Sequence, residues 1–340
     1  MKYDGLFRCG LVAVAMFMLG VAGVLPGRAA TADEQVPRWI AALQTGDSMA
    51  RFHAELEIIR QNKECTLTAQ LVAPLILCLS DPSDTVRTDG AIALASIKVY
   101  HPEVDLSSAV PPLIARMQDP AAKVRAATAN ALGNLRDPRG VPPLVVALSD
   151  KATGVVYAAV RALGLFLDPK TADPLAKLLT HAEANVRTET AIVLGQLDDR
   201  RATQPLIALL KADGNTPNRV AEVLGTLGDP AAVEPLCAFL PGSKVKVIPI
   251  IALGQLRDPR AIDTLVKEFG NHNVQHAIRA LKAIGDKRAV PPLITLLRDR
   301  STPSFYPPEC SVAVDALKSI TGQDFGLDAG KWAAWWETQE

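Results

Sequence analysis

One phrase recurs down this chain and constrains its fold more than any other feature. It reads NALGNLRDPRGVPPL at 130–144 and RALGLFLDPKTADPL at 161–175. It returns as IVLGQLDDRRATQPL (192–206), EVLGTLGDPAAVEPL (222–236), IALGQLRDPRAIDTL (251–265) and RALKAIGDKRAVPPL (279–293). The copies start 31, 31, 30, 29 and 28 residues apart. Self-similarity at such a period is the mark of a stacked array, in which each unit leans on copies of itself.

The unit from Asp119 to Asp150 shows what is repeated. Asp119 followed by Pro120 predicts a helix start, with an acidic N-cap and proline at the first helical position. Val124, Ala127, Ala131, Leu132 and Leu135 recur at helical spacing, and this helix ends near Arg136. Asp137-Pro138 repeats the start signal. Val141, Leu144, Val145 and Leu148 then form the apolar face of a second helix. Two short antiparallel helices cannot bury such faces alone, so the expected fold is an all-α solenoid of about eight stacked helix pairs with terminal caps. Asp137, Asp168, Asp229, Asp258 and Asp286 read as turn chemistry, with Asp198 or Asp199 in the remaining slot. Gly133, Gly164, Gly195, Gly225 and Gly254 sit late in the first helices, where an interior glycine costs about 1 kcal/mol against alanine. Close approach of a packed helix accounts for that cost; a phosphate loop would need a strand before it.

The pattern V-R-x-x-A-x-x-A-L-G-x-L-x-D-P-R-x-V-x-P-L is similar to the short HEAT repeat of the PBS-lyase HEAT-like type. Val124-Arg125 and Val186-Arg187 carry its opening, with looser matches at Val86-Arg87 and Val245-Lys246. The resemblance covers residues 84–298 and implies a superhelix whose second helices line the concave side. That architecture hosts scaffolds, lyase subunits and a metal oxygenase, so it implies fold more than function. The iron-binding hydroxylases of this type use His-Glu pairs, and this chain contains none. Bilin lyase subunits act on cytoplasmic antenna proteins, which an export signal contradicts.

The ends depart from the period. Lys2 and Arg8 precede an apolar run from Gly10 to Leu25, broken by Pro26-Gly27 and followed by Ala30-Thr31-Ala32. Residues 1–32 read as a secretory signal peptide, cut after Ala32 or after Ala29. The run is shorter than the ~20 residues of a normal span, and an uncleaved anchor is the rival reading. Residues 33–47 are expected as an N-terminal capping helix and 48–298 as the repeats, stretched at 98–108. Residues 299–340 give a loop, a half repeat and a last helix. Trp332, Trp335 and Trp336 share one face of that helix and read as a cap for the open end. A carbohydrate or lipid platform is the alternative.

Chemistry is sparse. Without residues 1–32 the chain holds 33 basic and 35 acidic residues, a formal −2, which excludes the basic footprint of a nucleic-acid binder. Cys65, Cys78, Cys237 and Cys310 have no CxxC spacing, and their places in the repeat register lie too far apart to bridge. Of five histidines, His272 and His276 have ligand spacing, with Glu268 four residues earlier. Zinc asks for a clear third ligand, so they are weak metal candidates. No GxSxG or HExxH occurs.

The expected function is an exported, periplasmic or secreted scaffold. It is a monomer without cofactor or nucleic acid, holding a protein or peptide partner on the concave face. The alternatives are a lyase-like metal enzyme or enzyme subunit using His272 and His276, and an envelope-anchored structural protein. Candidate partner residues are Arg116, Lys177, Leu178, Leu209 and Phe239, with Phe305 and Tyr306 closing one end. Leu178, Leu209 and Phe239 form an apolar row across three repeats, as either core packing or a shallow groove.

Overall fold

The structure is a computed structural model that describes residues 32–45, 68–210, 216–300 and 307–339, with 47, 50, 51, 53, 54, 57 and 58 between the first two. The signal peptide, Cys65, Phe305 and Tyr306 lie outside the described residues. Among the described residues there are helices and no strands. After α1 (Ala32–Thr45) and α2 (Val72–Cys78) come seven helix pairs. These are α3 (Asp84–Tyr100) with α4 (Val110–Arg116), α5 (Ala122–Leu135) with α6 (Val141–Ala147), and α7 (Thr153–Phe166) with α8 (Ala172–Ala176). Then come α9 (Ala184–Gln196) with α10 (Thr203–Leu209) and α11 (Thr216–Leu227) with α12 (Val233–Phe239). The last pairs are α13 (Val247–Leu256) with α14 (Ile262–Val266) and α15 (Val274–Ile284) with α16 (Val290–Arg300). The chain closes with α17 (Pro308–Thr321) and α18 (Ala329–Glu337). This is an all-α solenoid.

The recurring phrase encodes one turn. Each first helix from α5 to α15 leaves through a residue in or near the left-handed region or through a tight turn, then meets the capping aspartate. Arg136, Leu167, Asp198 and Arg257 adopt φ of 51–57°, and Gly228 and Gly285 hold the same place. Asp137, Asp168, Asp199, Asp229, Asp258 and Asp286 each accept a hydrogen bond from the backbone N–H two residues on. The remaining slot is thus filled by Asp199, while Asp198 supplies the left-handed residue. A single 3-10 turn leads from each aspartate into the second helix.

Asp119 differs from expectation. The helix starts at Ala122 with Ala121 at its cap. Asp119 accepts from the Ala121 N–H at 3.0 Å and directs its remaining lone pairs to Arg87. Its cap-like sequence marks a turn, and its main partner comes from the preceding repeat.

The first helices stack directly on one another. A Cβ at Gly133 would lie 2.8 Å from the Ala162 Cα, and one at Gly225 would lie 2.6 Å from the Ala252 Cα. Both distances are too short for any side chain, so backbone contact explains these two glycines, while Gly164 and Gly195 make room for the Val193 and Val223 side chains of the next first helix. Leu132, Leu144, Leu163, Leu175, Leu194 and Leu206 are fully buried in a core that runs on from repeat to repeat.

The Val-Arg opening ties neighbouring repeats together. Arg87 forms a bidentate pair with Asp119 at 2.8 and 2.9 Å, and donates to the Asp81 and Pro82 carbonyls. Arg125 repeats this with Asp150, at 2.7 and 2.8 Å, and with the Asp119 and Pro120 carbonyls. Arg51 also pairs with Asp81, through Nη1. Each aspartate serves as a turn for its own repeat and an anchor for the one before. The ladder then stops. Val156 fills the next arginine position and His181 the next aspartate position, both by register. His181 keeps the turn, its Nδ1 accepting from the Glu183 N–H at 3.1 Å. Arg187 keeps the arginine position of the following repeat and donates to the His181 and Ala182 carbonyls, at 2.6 Å each; Pro217 and Leu240 then replace a pair, and Lys246 with Glu268 supplies one at 2.9 Å.

Candidate functional site

The second helices present two successive rows. The first row is exposed throughout: Leu77, Ala115, Val146, Lys177, Ala208, Ala238, Lys267 and Thr295. Val146 and Leu77 are 65% and 60% exposed, large apolar side chains with no cover. The row that follows packs between repeats. Ala147, Glu268 and Leu296 are buried in it, and Arg116, Leu178, Leu209 and Phe239 are half-buried. Leu178, Leu209 and Phe239 all pack against the core, so their apolar row is mainly inter-repeat packing with one edge open to solvent. The outward surface lies one residue earlier than the sequence row suggests. The signal that finds it is helical phase: the residue before the proline that precedes each buried leucine (Pro142, Asp173, Gln204, Glu234) and the one four later share the outer face.

The charges of the second row are committed to neighbours. Arg116 lies 3.5 Å from Asp119. Glu268 is buried, holding Lys246 Nζ at 2.9 Å and Asn271 Nδ2 at 2.9 Å. Lys177 is exposed.

At the far end the second-helix face opens into a cleft of about 570 Å³, lined by Val266, Phe269, Pro291, Pro292, Thr295 and Leu296. Arg300 stands at its rim, donating to the Phe269 carbonyl at 2.8 Å and to Glu309 at 3.0 Å. A hollow of about 400 Å³ lies under Val146, beside the Arg125–Asp150 pair. The cleft is apolar with few polar groups, which suits a hydrophobic side chain more than a reaction.

The weak metal pair finds no third ligand in Glu268, whose oxygens face Lys246 and Asn271. His272 is exposed in a turn and His276 is half-buried on α15. Among the described residues, no group of three or more His, Cys, Asp or Glu side chains is placed to hold a metal ion. Cys78 and Cys310 are buried and Cys237 half-buried, and none of the three forms a disulfide among the described residues. Burial pushes the Cys237 and Cys310 thiols above their ordinary range, away from nucleophilic use. At the C-terminal end Trp332 is fully buried, donates Nε1–H to the Gly326 carbonyl at 2.9 Å and meets Phe325 edge-on at 5.0 Å. Trp335 and Trp336 are half-buried against the core.

HEAT repeats match residues 72–158, 110–188, 141–219 and 172–248, and the PBS lyase HEAT-like repeat matches 250–269 and 275–299. The chain belongs to the HEAT-repeat family. No curated protein matches it in sequence. Among solved structures, an engineered protein is 20% identical over 83% of this chain and 87% of its own, with a TM-score of 0.59. The complex of CpcE and CpcF of phycocyanin lyase from Nostoc sp. PCC7120 is 24% identical over 77% of this chain and 98% of its own, with a TM-score of 0.47. Human deoxyhypusine hydroxylase in complex with glycerol is 18% identical over 76% and 98%, with a TM-score of 0.35. The first likeness shows the fold alone, and the other two carry no argument about activity.

Proposed function

We propose that this protein is an exported HEAT-like scaffold that holds a protein or peptide partner along its second-helix face. The observation that carries the reading is the exposed row from Leu77 to Thr295, small or apolar at Leu77, Ala115, Val146, Ala208 and Ala238, leading to the apolar cleft at Phe269 and Leu296. Regular spacing of such positions suits an extended or helical segment that contacts several repeats at once. Export rests on the charged start, apolar run and small-residue site of residues 1–32. In this reading α18, with Trp332 inserted into the core, covers the last repeat.

Arginine at Ala208 and Ala238 tests the surface, because both positions face solvent and tolerate a longer side chain. Partner recovered from the native envelope should fall more than about tenfold, with the melting temperature unchanged. Arginine at Ile251, exposed on a first helix, is the control. Equal recovery from all three variants would remove the second-helix face from the function. N-terminal sequencing of the secreted or periplasmic fraction tests export, with Asp33 expected first.

A further inference from the structure

The first-helix side carries a charge cluster that neither the ladder nor the second-helix face uses. Tyr157 and Arg161 come from α7, Glu189 from α9 and Arg219 from α11, in three successive repeats. Glu189 is buried, 6% exposed. Arg219 reaches both its oxygens, at 3.3 Å each, and Arg161 Nε lies 3.9 Å from one of them. The Arg161 guanidinium stands 6.0 Å from the Tyr157 ring centroid. Burial, then the nearby Glu189 charge, pushes the Tyr157 hydroxyl above its ordinary range, so it stays a donor.

Two guanidinium groups thus share one carboxylate, and the cluster is left with one positive charge. Its bonds are also long. Arg125 holds Asp150 at 2.7 and 2.8 Å, whereas Arg161 makes no hydrogen bond among the described residues. Glu222, one turn beyond Arg219, forms no ion pair among them either. Arg161 and Arg219 each keep about 40% of their side chains exposed, so their free N–H groups face solvent while Glu189 fixes them from below. A planar fork preorganised this way matches a second carboxylate.

We infer that Tyr157, Arg161 and Arg219 form a binding site for a carboxylate side chain of an acidic polypeptide, on the layer opposite the proposed partner face. A polyanion is the poorer fit, because the chain has no basic surplus to track a phosphate backbone. The site spans three repeats, so its ligand would also bridge the stretch where the Val156–His181 pair leaves the ladder open. The inference does not depend on the second-helix reading, and arginine at Ala208 or Ala238 leaves it untouched.

The test uses the chain from Asp33 onward, a labelled amidated (Glu-Gly)5 peptide and its (Gln-Gly)5 counterpart, titrated at low and moderate salt. The wild type should prefer the acidic peptide, with affinity falling as salt rises. Arg161→Gln should weaken binding by about fivefold or more. Glu189→Gln removes the internal competitor and should tighten it. Lys170→Gln, an exposed cation on the turn of the same repeat and outside both proposed faces, should leave it within about twofold. Arg219 is left intact because it holds the buried Glu189, and thermal melts confirm that each variant is folded. No preference for the acidic peptide, or equal losses for Arg161→Gln and Lys170→Gln, would overturn the site.

Discussion

From Arg51 to Asp150 each described joint holds an arginine–aspartate pair, whereas Val156 with His181 and Pro217 with Leu240 hold none, and Arg187 between them keeps the arginine with its bonds to the His181 and Ala182 carbonyls. The two stretches share period, caps and glycine contacts. What differs is the interior chemistry of the joint. At the Val156 and Pro217 joints both charges are replaced, and at Lys246 and Glu268 a charged pair is present again. A buried charge without its partner costs several kcal/mol, whereas an apolar joint of similar shape costs little. At these two joints the charges are replaced as a pair, and the ladder contributes specificity of register as much as stability.

Removing one side of a rung should give the largest effect. Arg125→Ala leaves Asp150 with only the Ala152 N–H and strips the Asp119 and Pro120 carbonyls of their donor, and should cost roughly 3–5 kcal/mol in urea unfolding. Hydrogen exchange should place the loss in α5 to α7, because repeats couple only to their neighbours. Arg125→Val combined with Asp150→His copies the middle joint and should recover most of it. A double variant as damaged as the single one would break the comparison. Acid reports on the same rung. The Arg125 bonds hold the Asp150 carboxyl below its ordinary range. At Asp119 burial pulls upward, and the Arg87 bonds outweigh it, leaving a lowered value. Each contribution is fully present above the unfolded value near ~4 and is lost as pH falls through the folded one.

The reverse transplant comes next. Val156 is buried, so Val156→Arg alone puts a charge opposite His181 and should cost about 2–4 kcal/mol. Adding His181→Asp should restore stability by building a rung. If it does not, the middle stretch has a different joint geometry.

Asp89, in the laddered stretch, should give a smaller effect of the opposite sign. Burial raises its carboxyl to about 6 against a weaker opposing pull from Lys123, and its Oδ2 is buried without a hydrogen bond among the described residues. The folded state holds this proton more tightly than the unfolded one, so stability falls as pH rises from ~4 to about 6. Asp89→Asn should lose that slope and gain roughly 1–3 kcal/mol at pH 7.5. Parallel pH profiles for variant and wild type would show that Asp89 is not strained.

The smallest effect concerns the exits. Leu167 holds φ of 51° and is exposed, where Gly228 and Gly285 serve two other repeats. Leu167→Gly should stabilise by about 0.5–1 kcal/mol. An unchanged urea midpoint would show that the left-handed exit carries no strain.

Features written within one repeat were legible in the sequence. Helical spacing, the Asp-Pro turn and the late glycines all act inside some thirty residues, and each appears where the pattern places it. Features written between repeats were not. Arg125 meets an aspartate 25 residues on, and Asp119 looks like a helix cap until Arg87 is seen beside it. Glu189 and Arg219 fill one register position in successive repeats, so reading charges by register would have paired them. The proposed partner row was displaced by one residue because sequence spacing gives a helix face only to within its neighbour. Phe305 and Tyr306 lie outside the described residues.

Because Arg125 belongs to one helix pair and Asp150 to the turn that opens the next, the rung straddles the boundary that the helices suggest. A fragment cut after Leu148 would end in a tidy helix and expose an orphaned guanidinium. One cut after Ala152 would carry both the carboxylate and the N–H that Asp150 accepts from. Whole-unit exchange between arrays of this kind, by recombination or by design, therefore has its seam just past the turn, with each module lending its neighbour a lock it cannot close alone.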